Sequence, residues 1–404
     1  MKTKLSLALR VFSIAIQLIY VKSYTHYLTV AELGYSFYLT ALSYSINALL
    51  LVPADFYLQA ALAQYYEQPF PLGQYVSVNA KLLGVAFLVA ALVGAPICLA
   101  HKLDFVGLVQ IFLLAVFFYL SASVRNFLNN RGHALYTGWM LLLESVLKVA
   151  SFLLLLKFGS SRVSAFMLST VSAYLVETVF LSVFFVWKVP FRWRMPSNLS
   201  FRSMARASSV ITFTAVCNWL QLQGYRIVYV WLGFAETAGL YTAVANLGSM
   251  GMNASSTVFS QMLLPRLYTS RGRYIFKYVQ LAALLCVAVA AGYLVFGRVL
   301  LMVLTKSSFG PYAKLMLFGV VVEGCNLLIG AASAYFTIRR TPRRLLPAAL
   351  AGVVSAGVAT AACLAWLPHS HLALGETLAA SQLLVCGVLY FEMRLDAEQE
   401  AINA

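Results

Sequence analysis

The sequence predicts an all-α, polytopic membrane protein of about twelve transmembrane helices, arranged as two pseudo-symmetric six-helix bundles around a central cavity. Three observations predict it: the composition, the alternation of basic residues along the chain, and an internal repeat at half length. Hydrophobic residues make up 61% of the 404 positions and charged residues 10%, with a mean hydropathy of +0.82. Too few polar side chains are left to cover a globule in water, so lipid is the solvent. A spanning helix needs about 20 apolar residues to cross roughly 30 Å of hydrocarbon.

Segments of that kind fall near 5–27, 34–64, 79–100, 104–125, 136–157, 163–187, 208–232, 237–264, 277–298, 314–338, 345–367 and 373–393. The second, eighth and tenth are longer than a straight crossing requires and are expected to tilt, kink or project. Pro53, which has no backbone donor, is the natural kink in the second. Between the halves, Lys188–Ala207 carries Pro190, Pro196, three aromatic and five basic residues. It reads as a linker at the membrane surface, with rings at headgroup depth and arginines on phosphates. The domains are therefore 1–187, a basic and aromatic linker 188–207, and 208–404.

Orientation follows from Lys and Arg, which are retained in cytoplasmic loops. With these spans, 20 fall on one side, from Lys2, Lys4 and Arg10 through Arg343, Arg344 and Arg394, and 7 on the other, including Lys22. Lys148 and Arg226 stay inside the membrane. Both termini are then cytoplasmic. The net charge of +16 is spread over short loops, so topology and anionic lipid headgroups account for it without nucleic acid. Lys2 and Lys4 precede an apolar run too long for a signal-peptide core, so the first helix is expected to persist.

The repeat is visible in polar residues. Gln17 and Lys22 recur at the same spacing as Gln221 and Arg226, Gly34 answers to Gly239, Tyr66 to Tyr268, and Tyr75-Val76 to Tyr278-Val279. Duplication at half length is characteristic of transporter folds, with the site between repeats; chance register between two apolar halves is the competing account.

Several function classes are excluded. The loops are too short to carry the chemistry of a membrane glycosyltransferase, polymerase or ligase. No P-loop is present, and the Gly-rich runs lack the flanking strand that gives a nucleotide motif meaning, so transport here is not powered by this chain's own nucleotide hydrolysis. Cys98, Cys217, Cys286, Cys325, Cys363 and Cys386 lie in apolar segments without ligand spacing and read as small hydrophobes. His369 and His371 have no further ligands nearby. No catalytic residue, metal or cofactor is expected.

Charges inside hydrocarbon cost roughly 2.5–3.5 kcal/mol and face a cavity or a partner. Arg226 and Lys22 occupy matching depths in the seventh and first helices; each either looks into a cavity or snorkels to the headgroups. Glu144 and Lys148 stand four apart on one face of the fifth helix and read as a structural pair. Asp55, Glu177 and Glu323 have no opposite charge at helical spacing, and each needs a partner on another helix, a proton or water. A buried carboxylate that binds and releases a proton is the physical basis for treating these three as coupling-ion candidates. Gln17, Asn47, Asn218, Gln221, Gln223, Asn246, Asn253 and Gln261 concentrate in the first, second, seventh and eighth helices and suggest a hydrated passage. The glycines of the eighth also suit close helix packing. Tyr20, Tyr24, Tyr35, Tyr38, Tyr225, Tyr229 and Tyr241 read as stacking surfaces for sugars or as an aromatic belt.

The stretch Asn218-Trp-Leu-Gln221 through Arg226, then Leu232-Gly-Phe-Ala-Glu-Thr-Ala-Gly-Leu-Tyr241 and Leu264-Pro-Arg-Leu-Tyr268, resembles the seventh and eighth helices of bacterial polysaccharide flippases. Those are the O-antigen and capsule repeat-unit translocases of the multidrug, oligosaccharidyl-lipid and polysaccharide exporter superfamily. Phe309-Gly-Pro-Tyr-Ala313 before the tenth helix is similar to that family too. The resemblance implies two six-helix bundles in a V, alternately open to either side, moving an undecaprenyl-pyrophosphate-linked oligosaccharide outward. By position, Lys22 and Arg226 correspond to its cationic cavity residues, with Arg10 or Arg125 meeting the pyrophosphate at the inner mouth as the alternative. The candidate substrate-binding set is thus Lys22, Arg226, Gln17, Gln221, Arg10, Arg125 and Asn246. The implied partners are a polyprenyl-pyrophosphate-linked glycan, anionic lipids and other polysaccharide-assembly proteins, with the chain itself a monomer. The rivals are a cation-coupled drug antiporter of the same superfamily and a membrane-embedded polymerase or ligase.

Overall fold

The structure is a computed structural model that describes residues 2–62, 65, 68–100, 103–193, 201–207, 209–270, 272–339 and 341–403. Tyr66 of the repeat, and Lys102, Arg194, Pro196, Arg271 and Arg340 of the charge pattern, lie outside the described residues. The protein is an all-α polytopic membrane protein. Its helices are α1 (Lys2–Tyr27), α2 (Val30–Ile46), α3 (Val52–Leu62), α4 (Leu72–Leu99), α5 (Phe105–Asn130), α6 (Ala134–Lys157), α7 (Arg162–Lys188), α8 (Phe201–Ala207), α9 (Ser209–Trp231), α10 (Ala235–Thr269), α11 (Ile275–Leu304), α12 (Leu315–Ile338), α13 (Leu346–Trp366) and α14 (His371–Asn403). Among the described residues, nine helical spans are long and apolar enough to cross a membrane. Each of the twelve predicted segments coincides with helix, the second being α2 and α3 together. The main boundary differences are extensions: α14 runs ten residues past the predicted 393, α4 begins at Leu72 rather than 79 and α11 ends at Leu304 rather than 298. In the extension of α14, polar side chains find partners along the helix, as in the Arg394–Glu398 pair at 3.2 Å.

Helix ends follow local chemistry. Thr29 and Glu32 form a reciprocal capping box at the start of α2, with Thr29 N–H donating to Glu32 Oε2 at 2.7 Å and Glu32 N–H to Thr29 Oγ1 at 3.2 Å. Asp104 caps α5 through Gly107 N–H at 3.0 Å. α5 and α9 both stop at a left-handed glycine, Gly132 (φ 89°) and Gly233 (φ 90°), closed by the next amide reaching back to Leu128 and Tyr229 carbonyls.

The kink expected at Pro53 is present and has a specific form. Asn47–Leu51 makes a π-helical turn between α2 and α3, with Val52 N–H bonded to Asn47 O, five residues back. Pro53 cannot donate to the carbonyl four residues before it, which leaves the ladder free to widen there.

The chain divides into two compact units, Met1–Leu28 with Tyr35–Val216, and Thr29–Gly34 with Cys217–Ala404. In the first, α1 packs on α6, α6 on α7 and α5 on α7. A two-residue parallel ladder pairs β1 (Phe70–Pro71) with β2 (Phe191–Arg192), tying the connection before α4 to the start of the linker. Phe70 is buried there, edge-on to Tyr75, Phe127 and Phe185.

In the second unit, α10 packs on α12, α13 on α14 and α12 on both α14 and α11. Glycines set the α10–α12 approach: a Cβ on Gly248 would sit 1.9 Å from Met316 O, and one on Gly319 1.9 Å from Ala245 O. In the eighth predicted helix Gly251 faces the Tyr293 side chain, while Gly248, and Gly239 with its Cβ position 2.3 Å from Val30 O, are contact positions between backbones. Gly34 is another, its Cβ position 2.0 Å from Ala235 O. The core toward the far end of this unit is built from Leu267, Tyr278, Tyr335, Phe336, Leu389 and Met393.

Candidate functional site

Among the described residues, the first unit holds a buried cluster of charges and the second a buried cation, besides the more exposed Arg344–Glu392–Asp396 cluster of the second unit. In the first unit α5, α6 and α7 bring Arg125, Glu144, Lys148 and Glu177 together. Arg125 Nη1 lies 2.8 Å from Glu177 Oε1 and 3.3 Å from Glu144 Oε2. Lys148 Nζ lies 2.5 Å from Glu144 Oε1, 3.1 Å from the Tyr174 hydroxyl and over the Tyr174 ring. Glu177 is fully buried, and its Oε2 has no hydrogen-bond partner. Two cations and two carboxylates balance, which is how charge survives in a low-dielectric interior. Arg10 on α1 is half-buried and within electrostatic reach of Arg125. The partner that Glu177 was expected to need thus stands on another helix, and Glu144–Lys148 pair as their spacing predicts.

In the second unit Arg226 on α9 is 8% exposed. Its Nε donates to the Tyr225 hydroxyl at 3.1 Å, and that hydroxyl shares a 2.7 Å hydrogen bond with Thr242 on α10. Asn246, half-buried, follows Thr242 by four residues and so lies on the same face of α10. Tyr241 is buried edge-on to Tyr225. Lys22 contrasts with its repeat equivalent: its side chain is exposed and its ammonium has no ion pair among the described residues.

Gln17 and Gln221 each donate to a serine, on non-equivalent helices. Gln17, half-buried, donates its Nε2 to Ser145 on α6 at 3.3 Å; Gln221, buried, donates its Nε2 to Ser381 on α14 at 3.1 Å. Asp55 accepts from Gln59 at 3.2 Å, and Gln59 also donates to Ser123 O. Glu323 accepts from Asn326 at 3.2 Å. Both carboxylates are half-buried and bound to amides.

The tyrosines behave differently from a belt. Tyr20, Tyr24, Tyr38, Tyr225, Tyr229 and Tyr241 are all buried, and Tyr35 is half-buried. Tyr20 and Tyr24 pack with Phe166, and Tyr229 donates to Cys363 Sγ at 3.2 Å. Buried rings packed against other side chains are core side chains. Of the cysteines, Cys217, Cys325 and Cys363 are buried and the other three half-buried. His369 and His371 face the rings of Phe234 and Tyr312.

Sequence reasoning missed an apolar cavity of about 480 Å³ in the first unit, between α4, α5 and α7. Its signal was faint: Val76, Ala80 and Leu83 share one face of α4, and Ser182 and Val186 one face of α7.

No protein-family model matches this sequence, and no curated protein does. Solved structures do. The chain is similar to the lipid II flippase MurJ in an inward closed conformation, with a TM-score of 0.71 at 9% identity over 97% of this chain and 87% of that one. It is also similar to the multidrug transporter DinF-BH of the MATE class, with a TM-score of 0.66 at 15% identity over 96% and 94% of the two chains. An outward-facing MATE transporter of the MOP superfamily aligns with a TM-score of 0.62 at 13% identity over 98% and 93%. At such identities the likeness is one of fold: this chain has the transporter fold that a lipid flippase and multidrug exporters share.

Proposed function

We propose that the protein is a flippase that carries a polyprenyl-pyrophosphate-linked oligosaccharide, an O-antigen or capsule repeat unit, across a bacterial inner membrane by alternating access. A pyrophosphate bearing sugars cannot cross hydrocarbon unaided, because its charges would lose their hydration. The observation that carries the reading is a cation held within the span of α9: Arg226 is 8% exposed, with its Nε on the Tyr225 hydroxyl that Thr242 of α10 also shares. Lys22 of α1 adds a second cation, exposed at its surface. Cations at these two positions suit an anionic headgroup.

In this reading Lys22 and Arg226 meet the pyrophosphate, with Gln17, Gln221 and Asn246 offering amides to sugar hydroxyls. Arg10 meets the headgroup at the inner end, within reach of the Arg125 that Glu144 and Glu177 hold, both termini being cytoplasmic. Turnover is coupled to a proton or sodium gradient through at least one of Asp55, Glu177 and Glu323. Translocation in proteoliposomes that ignores both gradients refutes the coupling. For the substrate, Arg226→Ala is expected to abolish surface polysaccharide at unchanged membrane protein level, with Arg226→Lys retaining part of it. Normal polysaccharide in the Ala variant removes Arg226 from the mechanism.

A second reading, a cation-coupled drug antiporter, draws support from the multidrug transporters of the same fold and from Asp55 and Glu323, whose hydrogen bonds run to neutral amides. It predicts drug resistance that depends on those carboxylates and is indifferent to Arg226.

A further inference from the structure

We propose that the cavity between α4, α5 and α7 is a binding slot for one acyl chain of an anionic phospholipid, whose headgroup rests on the basic, aromatic rim formed by the end of α7 and β2. The inference stands on the first unit alone and does not depend on what the protein transports.

The slot has two walls and a floor. Val76, Ala80 and Leu83 form a wall along α4, Ser182 and Val186 one along α7, and Val124 of α5 part of the floor. Val76 and Val186 are 43% and 52% exposed, and Ala80 is exposed, so the mouth opens to the protein surface. From Val76 to Leu83 the wall rises by about 10 Å at 1.5 Å per residue. The volume of about 480 Å³ lies in the range of sites that enclose a small ligand. Gln59, Tyr75, Asn79, Thr178 and Ser182 also line the slot, but the surface facing it is mostly carbon, so water finds few polar partners there. In a bilayer the neighbouring apolar matter is an acyl chain.

The rim selects the headgroup. Phe70 lines the slot and pairs with Phe191, so β2 and the residues around it sit at one end of the slot. There Lys188 and Arg192 are exposed, with the Lys188 ammonium 3.6 Å from the centroid of the Trp187 ring. Trp187 and Trp193 are also exposed. Indole rings and basic side chains together are the side-chain chemistry of the headgroup layer. Lys81, exposed next to Ala80, adds a cation on the α4 side. Positive charge beside an apolar slot fits a phosphatidylglycerol-like lipid: one chain in the slot, its phosphate over Lys188 and Arg192.

The test is photocrosslinking of the full chain in vesicles of phosphatidylethanolamine and phosphatidylglycerol. p-Benzoylphenylalanine replaces Val186 at the mouth or, as control, Val183, which is exposed on the same helix but outside the slot. Adduct masses are then read. The proposal expects phosphatidylglycerol adducts to dominate at Val186 and to follow bulk lipid composition at Val183. Lys188→Gln with Arg192→Gln should lower the phosphatidylglycerol preference at Val186 by about fivefold per charge, the equivalent of about 1 kcal/mol each near an anionic surface. Val124→Phe, which fills the floor, should bring the Val186 yield down to the Val183 level. Equal lipid profiles at the two positions overturn the proposal. So does a Val186 adduct with added polyprenyl phosphate in place of phospholipid. The comparison of Val186 with Val183 leaves the slot's floor intact, so it decides the matter even where Val124→Phe fails to accumulate.

Discussion

Arg125→Ala is the most informative substitution in the first unit, because its energetic consequence follows from the geometry. The guanidinium is the cation facing Glu177, and it shares Glu144 with Lys148. Truncation leaves Glu144 with Lys148 but strands a fully buried Glu177 carboxylate. Removing one member of a buried ion pair costs about 3–5 kcal/mol, since the partner keeps its desolvation penalty without compensation. For a unit of roughly two hundred residues, each kcal/mol moves the melting midpoint by about 2–4 °C, so the fall should be roughly 6–20 °C. Heating detergent-solubilised protein and following the monodisperse fraction by fluorescence-detected chromatography measures it. Arg125→Leu combined with Glu177→Leu should recover most of the loss, because apolar side chains of suitable volume replace buried ions at little cost. If Arg125→Ala melts like the parent yet loses surface polysaccharide, or if the double variant melts no higher than the single one, the cluster is not a structural clasp. Arg125 would then act on the substrate.

Further outcomes are expected. Gly319→Ala places a methyl 1.9 Å from Ala245 O; backbone cannot give way cheaply, and a loss of about 1–3 kcal/mol or more should appear as lower thermal stability, while Gly330→Ala on the same helix, with open space around it, should be silent. Thr29→Ala removes one half of the capping box and should cost about 0.5–2 kcal/mol, read by the same melting assay. Burial, then the charges of Arg131 and Lys188, holds the His133 imidazole below the ordinary histidine range. The folded state therefore binds fewer protons there than the unfolded chain, and this contribution is complete above the unfolded value of about 6.5 and lost as pH falls from there through the lowered folded value. A melting profile from neutral to acid pH should flatten in His133→Phe.

Much of the architecture was legible because lipid imposes a simple rule on sequence, and apolar runs marked the helices that the structure contains. The residues that suggested the repeat differ in their surroundings: Gln17 bonds to Ser145 of α6 and Gln221 to Ser381 of α14, and Lys22 is exposed where Arg226 is buried. Local pairs such as Glu144 with Lys148 follow from helix geometry. What lies between helices was hidden. Nothing in the order of residues says that Arg125 of α5 meets Glu177 of α7, since that pairing depends on packing angles. The tyrosines were misleading for a related reason: a tyrosine near a helix end suits either the headgroup layer or the interior, and only the packed neighbours of Tyr20, Tyr229 and Tyr241 decide for the interior. The slot beside α4 arises from space left between side chains, which no single segment encodes.

The widened turn at Asn47–Leu51 has one more implication. An added residue in a helical ladder advances everything downstream by about 100° around the axis, so α3 presents its side chains in a phase that α2 does not share. Gln59, which bonds Asp55 one turn before it, owes its place on the Ser123 carbonyl to that offset. Excising a single residue between Asn47 and Leu51 would restore an unbroken spiral and swing Gln59 away from α5, with every side chain of α3 still present.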